Sequence, residues 1–147
     1  MAATTKTLYA TDFVEWTART AELLREGRFD EIDLEHLAEE VEGLGKRDRS
    51  AVRPQMRRVL KHMIKQKIQP ERDGPSWRGS IEDGRLKIND ELKDSPSLRR
   101  FLDANLQEFY RSAVTAALIE TGLEERASDL DIPERCPWSV ADLLDRR

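Results

Sequence analysis

Residues 31–69 read EIDLEHLAEEVEGLGKRDRSAVRPQMRRVLKHMIKQKIQ, from Glu31 to Gln69. Leu34, Leu37, Ala38, Val41 and Leu44 recur at helical spacing, so one stripe of the first half asks for a core. Asp33 can accept a hydrogen bond from a first-turn amide, as an N-cap does. Gly43 and Gly45 fall where such a helix is expected to stop. After them, Ser50 can cap a second helix, with Pro54 in its first turn, where a missing N–H costs little. Val52, Met56, Val59, Leu60 and Met63 form the second apolar stripe, and Gln69–Pro70 ends it. The stretch reads as an acidic helix, a glycine turn and a basic helix, folded back as an antiparallel hairpin.

The charges of this stretch are sorted. From Glu22 to Glu42 there are nine acids and two arginines, and from Lys46 to Arg72 ten bases and two acids. Glu31, Glu35 and Glu39 form one column, and Arg53, Arg57, Lys61 and Lys65 another. Like charges at that spacing repel by roughly 0.2–0.5 kcal/mol per pair, so each column gains from opposite charge alongside. A hairpin turning near residues 47–48 would bring Glu42 level with Arg53, Glu39 with Arg57, and Asp33 with His62. Exposed pairs of that kind contribute about 0–1 kcal/mol each and set register more than stability.

Around this centre, a chain of 147 residues is long enough to bury a sizeable core. Charged residues make up 37% of it and the net charge is −4, which argues against a protein that coats nucleic acid generally, though not against a local basic face. The one cysteine, Cys136, excludes an intrachain disulfide framework and a cysteine-based zinc site. No apolar run is long enough to cross a bilayer, and Met1 to Thr11 lacks a signal-peptide pattern, so the expected location is cytoplasmic.

Residues 1–10 read as a flexible N-terminus, and 11–147 as a single all-α domain. Thr11 or Asp12 caps a helix that carries Phe13, Trp16, Leu23 and Leu24 and stops at Gly27. After Pro70, Gly74 and Pro75, a third long segment begins at Ser76–Trp77 with Ile81, Ile88 and Leu92. Gly79 and Gly84 weaken it by roughly 1 kcal/mol each or allow a neighbouring helix close. Ser95–Pro96 restarts the chain. Leu98, Phe101, Leu102, Leu106, Phe109, Ala113 and Ala117 then make the longest apolar stripe, ending at Gly122. Residues 123–147 read as a C-terminal arm with a short helix capped by Ser139. No alternating strand pattern occurs, so the fold class is all-α: a bundle of about four main helices with the hairpin at its centre.

Asp12–Phe13–x–x–Trp16, the run from Asp33 to Gly45, His62 with Lys65, Gln69–Pro70, Ser76–Trp77, Ser95–Pro96–Ser97–Leu98 and Cys136–Pro137–Trp138 occur in this order. Together they resemble the bacterial family known as domain of unknown function 29, from about Tyr9 to Leu144. The resemblance implies a small helical domain and brings no established activity with it. The chain departs from the family at Gln66 and Ile68, where aromatics are common.

Four groups of residues are candidates for chemistry or binding. His36, Glu39 and Glu40 lie within one turn and could hold a divalent metal, but the order is reversed from the Glu-x-x-His of di-metal bundles and occurs once. A solvated helix face is the preferred explanation of them. His62, level with Asp33 in the hairpin, could be poised as a general base, or simply tie two helices together; no nucleophile has a supported place beside it. Arg53, Arg57, Arg58, Lys61 and Lys65, on the basic helix 50–69, could contact nucleic acid or phosphate, unless the acidic helix already neutralises them. Trp138, Leu143 and Leu144 on the arm need a surface, either the chain's own bundle or a second subunit. Nothing near Cys136 would lower its pKa. No cofactor is expected. The leading expectation is a protein-interaction or structural module, with a homodimer as one form it could take. Nucleic-acid or phosphate binding is the alternative, and a metal-dependent or histidine-based enzyme comes third.

Overall fold

A computed structural model describes residues 4–145. Six α-helices follow in order: α1 (Thr5–Thr11), α2 (Phe13–Arg25), α3 (Leu34–Ile68), α4 (Pro75–Asp94), α5 (Leu98–Thr121) and α6 (Val140–Leu144). Short 3₁₀ turns lie at Phe29–Glu31, Pro70–Arg72 and Glu124–Asp129. No strand occurs among the described residues, and the protein is all-α. The chain divides into two compact units, 1–47 and 48–147.

The expected hairpin is not formed. Residues 34–68 are one continuous helix of 35 residues, running through Gly43, Gly45 and Pro54. At about 1.5 Å per residue it is roughly 50 Å long. A glycine ends a helix by taking a left-handed conformation, and only Gly27 (φ 71°) and Gly122 (φ 68°) do so among the described residues. Gly43 and Gly45 keep helical geometry, at a cost of about 1 kcal/mol each relative to alanine. Pro54 costs about 3 kcal/mol more by deleting one rung of the ladder. Opposing these costs, the residues around Pro54 bury Val52, Met56, Val59, Leu60 and Ile64. The charge sorting also suits one long helix. Glu35 stands in the first turn and Lys65 and Lys67 in the last, where they complement the helix dipole. The pairings Glu42–Arg53, Glu39–Arg57 and Asp33–His62 therefore do not exist.

The unit 1–47 contains α1, α2 and the first part of α3. The loose end expected at 1–10 is helical from Thr5, with the Thr4 hydroxyl capping the Thr7 amide at 3.3 Å. Asp12 caps α2 by accepting from the Glu15 amide at 3.1 Å. Among the described residues of this unit the buried apolar ones are Trp16, Leu23 and Ile32. By contrast, Val14 (77% exposed), Leu34 (62%), Val41 (58%) and Leu44 (57%) lie open to solvent.

The unit 48–147 has a full core. Val52, Met56, Val59 and Leu60 from α3 meet Ile81 and Ile88 from α4, Leu102, Phe109 and Ala113 from α5, and Val140 and Leu143 from α6. Helices α3 and α4 approach closely at Gly84, where an added Cβ would stand 2.7 Å from Val59 Cγ2. Gly122 closes α5 in a left-handed C-cap, and the Leu123 amide donates to the Leu118 carbonyl at 3.0 Å. Ser139 and Asp142 form a reciprocal capping box that starts α6.

Candidate functional site

In the unit 1–47, Asp33 caps α3 and anchors a polar cluster. Its Oδ1 accepts from the His36 amide at 3.3 Å, while Oδ2 pairs with His36 Nδ1. The Asp33 side chain is 1% exposed and that of His36 33%. The carboxylate beside it raises the His36 pKa above its ordinary 6.5, and the imidazole holds Asp33 below the usual range. The Tyr9 ring stacks on His36 with centroids 3.9 Å apart and planes at 17°. The Tyr9 hydroxyl donates to Glu40 Oε1 at 2.7 Å. That bond and the neighbouring carboxylates push Tyr9 up to about 12. Among the candidate metal ligands, His36 is thus occupied by Asp33 and Glu40 by Tyr9. Glu39 is exposed. No group of three or more potential metal ligands converges among the described residues.

Tyr9 was not among the sequence candidates, and its signal lay in spacing. Tyr9, Phe13 and Trp16 stand at i, i+4 and i+7, and their rings pack together: the centroids of Tyr9 and Trp16 are 4.9 Å apart, those of Phe13 and Trp16 5.6 Å.

Beside this cluster an open groove of about 340 Å³ runs between α2 and the first part of α3. Its walls are mainly apolar: Phe13, Trp16 and Leu24 on α2 face Leu37, Val41 and Leu44 on α3. Glu40 and Arg47 also line it. Trp16 Nε1 and Thr20 Oγ1, both from lining residues, are buried without a hydrogen-bond partner among the described residues.

In the unit 48–147, the basic flank of α3 is largely engaged, but not by the acidic part of α3. Arg58 donates to Asp83 of α4 at 2.5 Å. Lys61 reaches Glu120 of α5 at 2.8 Å, and Lys65 pairs with the other oxygen of the same carboxylate. The two lysines pull Glu120 down to about 2. Lys65 also lies over the Trp77 ring, 5.5 Å from its centroid, and Arg53 lies 5.1 Å from the centroid of Phe101. Arg57 is exposed and has no ion pair among the described residues. Glu120, a single acid at the end of an apolar stripe, carries no local signal in the sequence.

Among the described residues no carboxylate hydrogen-bonds to His62. Its Nδ1 lies 2.8 Å from the Arg58 carbonyl. A carbonyl only accepts, so Nδ1 carries the proton and Nε2 presents a lone pair. Burial, then Lys61 and Lys65, lower the pKa of His62 below 6.5.

The arm packs on its own unit. Leu143 and Leu144 are buried, and Trp138 and Cys136 pack against the same core. Tyr110 donates to the Pro133 carbonyl at 2.6 Å, and Arg85 to the Leu143 carbonyl at 2.5 Å. Cys136 Sγ donates to the Trp138 carbonyl at 3.3 Å, and burial pushes its thiol up, away from the reactive thiolate. No described helix is long and apolar enough to cross a membrane.

The family model described as domain of unknown function DUF29 matches residues 8–147. No curated protein and no solved structure matches the chain. The protein belongs to the DUF29 family.

Proposed function

We propose that this DUF29-family protein is a protein-interaction module whose unit 1–47 docks against the same unit of a second copy. The observation that carries this reading is the imbalance of that unit. Among its described residues it buries three apolar side chains, and it leaves the Leu37–Val41–Leu44 side of α3 opposite the open apolar face of α2. Segments this small usually need a further device, oligomerisation among them, to be stable.

The choice of a second copy rests on charge. Counting 100° per residue, Glu40 and Arg47 fall on the same flank of the Leu37–Val41–Leu44 stripe, two turns apart. A two-fold axis near residues 43–44 would set α3 antiparallel to its copy. Glu40 of each protomer would then lie level with Arg47 of the other, on the same side of the seam, as an isologous contact demands. Arg47 has no ion pair among the described residues, and Glu40 has one carboxylate oxygen beyond the Tyr9 bond.

Sedimentation equilibrium over a dilution series tests the reading. The expected result is a monomer–dimer equilibrium that Val41→Glu or Leu44→Glu abolishes with helicity unchanged. Both residues are already more than half exposed, so the variants should fold. A charge swap, Glu40→Arg with Arg47→Glu, should restore what each single change weakens. A wild type that stays monomeric throughout, or a dimer indifferent to all of these changes, would overturn it.

A further inference from the structure

A second place in the molecule brings polar groups together without giving them all partners. On α3, Arg57, Arg58, Lys61 and His62, and on α5, Ser112, surround an open cavity of about 440 Å³. That falls in the size range of small-ligand pockets, roughly 300–1,000 Å³. Pro54 and Ala116 give it two apolar patches.

Positive charge is in excess around this cavity. Arg58 shares Asp83 with Lys87, and Lys61 shares Glu120 with Lys65. In these ion pairs of the described residues two carboxylates each hold two cations, and Arg57 stands outside both groups. Each shared carboxylate also holds its cations in place. The His62 ring is fixed by its Nδ1–Arg58 bond. Its tautomer leaves Nε2 as the free nitrogen, and the Ser112 hydroxyl comes from the opposite wall.

We propose that this cavity between α3 and α5 binds the phosphate group of a small phosphate monoester, held by Arg57, His62 Nε2 and the Ser112 hydroxyl within the field of Arg58 and Lys61. A guanidinium matches a phosphate edge with two parallel hydrogen bonds, and a hydroxyl adds a third donor. A dianion needs His62 as a donor rather than an acceptor, so binding takes up one proton at Nε2. The groups facing that proton are Lys61, Lys65 and Arg58 on the same helix and Glu120 on α5; burial and the two lysines disfavour the protonated ring when the cavity is empty. The apolar patches of Pro54 and Ala116 are suited to the organic part of an ester. This site is independent of the dimer contact proposed for the other unit.

The test is a titration of the full chain with phenyl phosphate at constant ionic strength in chloride buffer, read from the imidazole nitrogens by NMR. The expected result is a saturable shift at His62, with its titration midpoint raised. Arg57→Ala should weaken binding by about tenfold or more, since a charge-assisted bidentate pair is lost. Ser112→Ala should weaken it less. Both residues are exposed, and an otherwise unchanged amide spectrum verifies that the variants fold. A parallel titration with inorganic phosphate distinguishes the sources. Equal affinity means that the site reads the anion alone; tighter binding of the ester means that the apolar patches contribute. Either ranking upholds a phosphate site. No saturable shift at His62, or a shift that Arg57→Ala leaves unaltered, would overturn it. So would binding of a short single-stranded oligonucleotide through Arg57 with no response to phenyl phosphate.

Discussion

Replacing Gly84 with alanine should destabilise the protein, although alanine is the better helix former. The ideal Cβ would meet Val59 Cγ2 at 2.7 Å and the Gln55 carbonyl oxygen at 3.4 Å. Val59 is fully buried, and a β-branched side chain has little rotameric freedom in a helix. The methyl must therefore push α3 and α4 apart, an overpacking cost of about 1–3 kcal/mol. Gly79 lies in the same helix with nothing within 4 Å of its Cβ position, so Gly79→Ala should gain about 0.5–1 kcal/mol from helix propensity alone. That gain is common to both variants, and the gap between them isolates the steric cost. At about 3 °C per kcal/mol for a chain of this size, the two should melt about 3–9 °C apart. Thermal and urea unfolding followed by circular dichroism measure the gap. In a Val59→Ala background the cost of Gly84→Ala should largely vanish, because the obstructing methyl is gone. If the two alanine variants melt together, or Gly84→Ala is the more stable, the close approach of α3 and α4 is refuted.

Gly43→Ala and Gly45→Ala should each stabilise α3 by about 1 kcal/mol; slower amide exchange around residues 40–50 is the readout, and faster exchange would mean a turn rather than a helix. The two histidines should titrate on opposite sides of 6.5 by NMR, His36 above and His62 below. The His36–Asp33 ion pair then stabilises fully below the ordinary histidine value and fades as the pH climbs through the raised midpoint, and Asp33→Asn should bring that midpoint down. Glu120→Gln should lower the melting temperature near neutral pH. Because Glu120 is held down to about 2, the difference from wild type should shrink as the pH falls from the ordinary glutamate value of 4.5 towards about 2; a difference that persists at the acid end would assign the effect to packing instead.

Local chemistry was legible in the sequence wherever a residue closes its own helix. Asp12, Gly27, Gly122 and Ser139 act within a turn of themselves, so their roles follow from type and position. Gly43 and Gly45 were misleading because a glycine permits a left-handed stop without requiring one. What decides is whether the downstream residues gain more by reversing or by continuing, and Val52, Met56 and Val59 find their core in α4, α5 and α6. The acid and base columns carried the same ambiguity, since opposed charge serves an antiparallel pair or the two ends of one helix. The Asp33–His36 contact lies at i, i+3, a spacing the sequence shows, whereas Asp33 and His62 could meet only in the hairpin. Glu120 and Ser112 were out of reach because the α3 residues they pair with or share a cavity with lie some fifty residues away, and nothing local marks a side chain for a distant neighbour.

The packing of α6 has a consequence for synthesis. Val140, Leu143 and Leu144 are buried in the core of the unit 48–147, and they are the last of its core residues to be translated. Until the ribosome has passed Leu144 and those residues have cleared the exit tunnel, the apolar faces of α3, α4 and α5 have no complete covering. The nascent chain must hold them exposed for that interval, which is when chaperones meet it and aggregation threatens. Slow codons placed before residue 140 would lengthen that exposure, whereas the 1–47 segment, already out of the tunnel, would gain nothing from the delay.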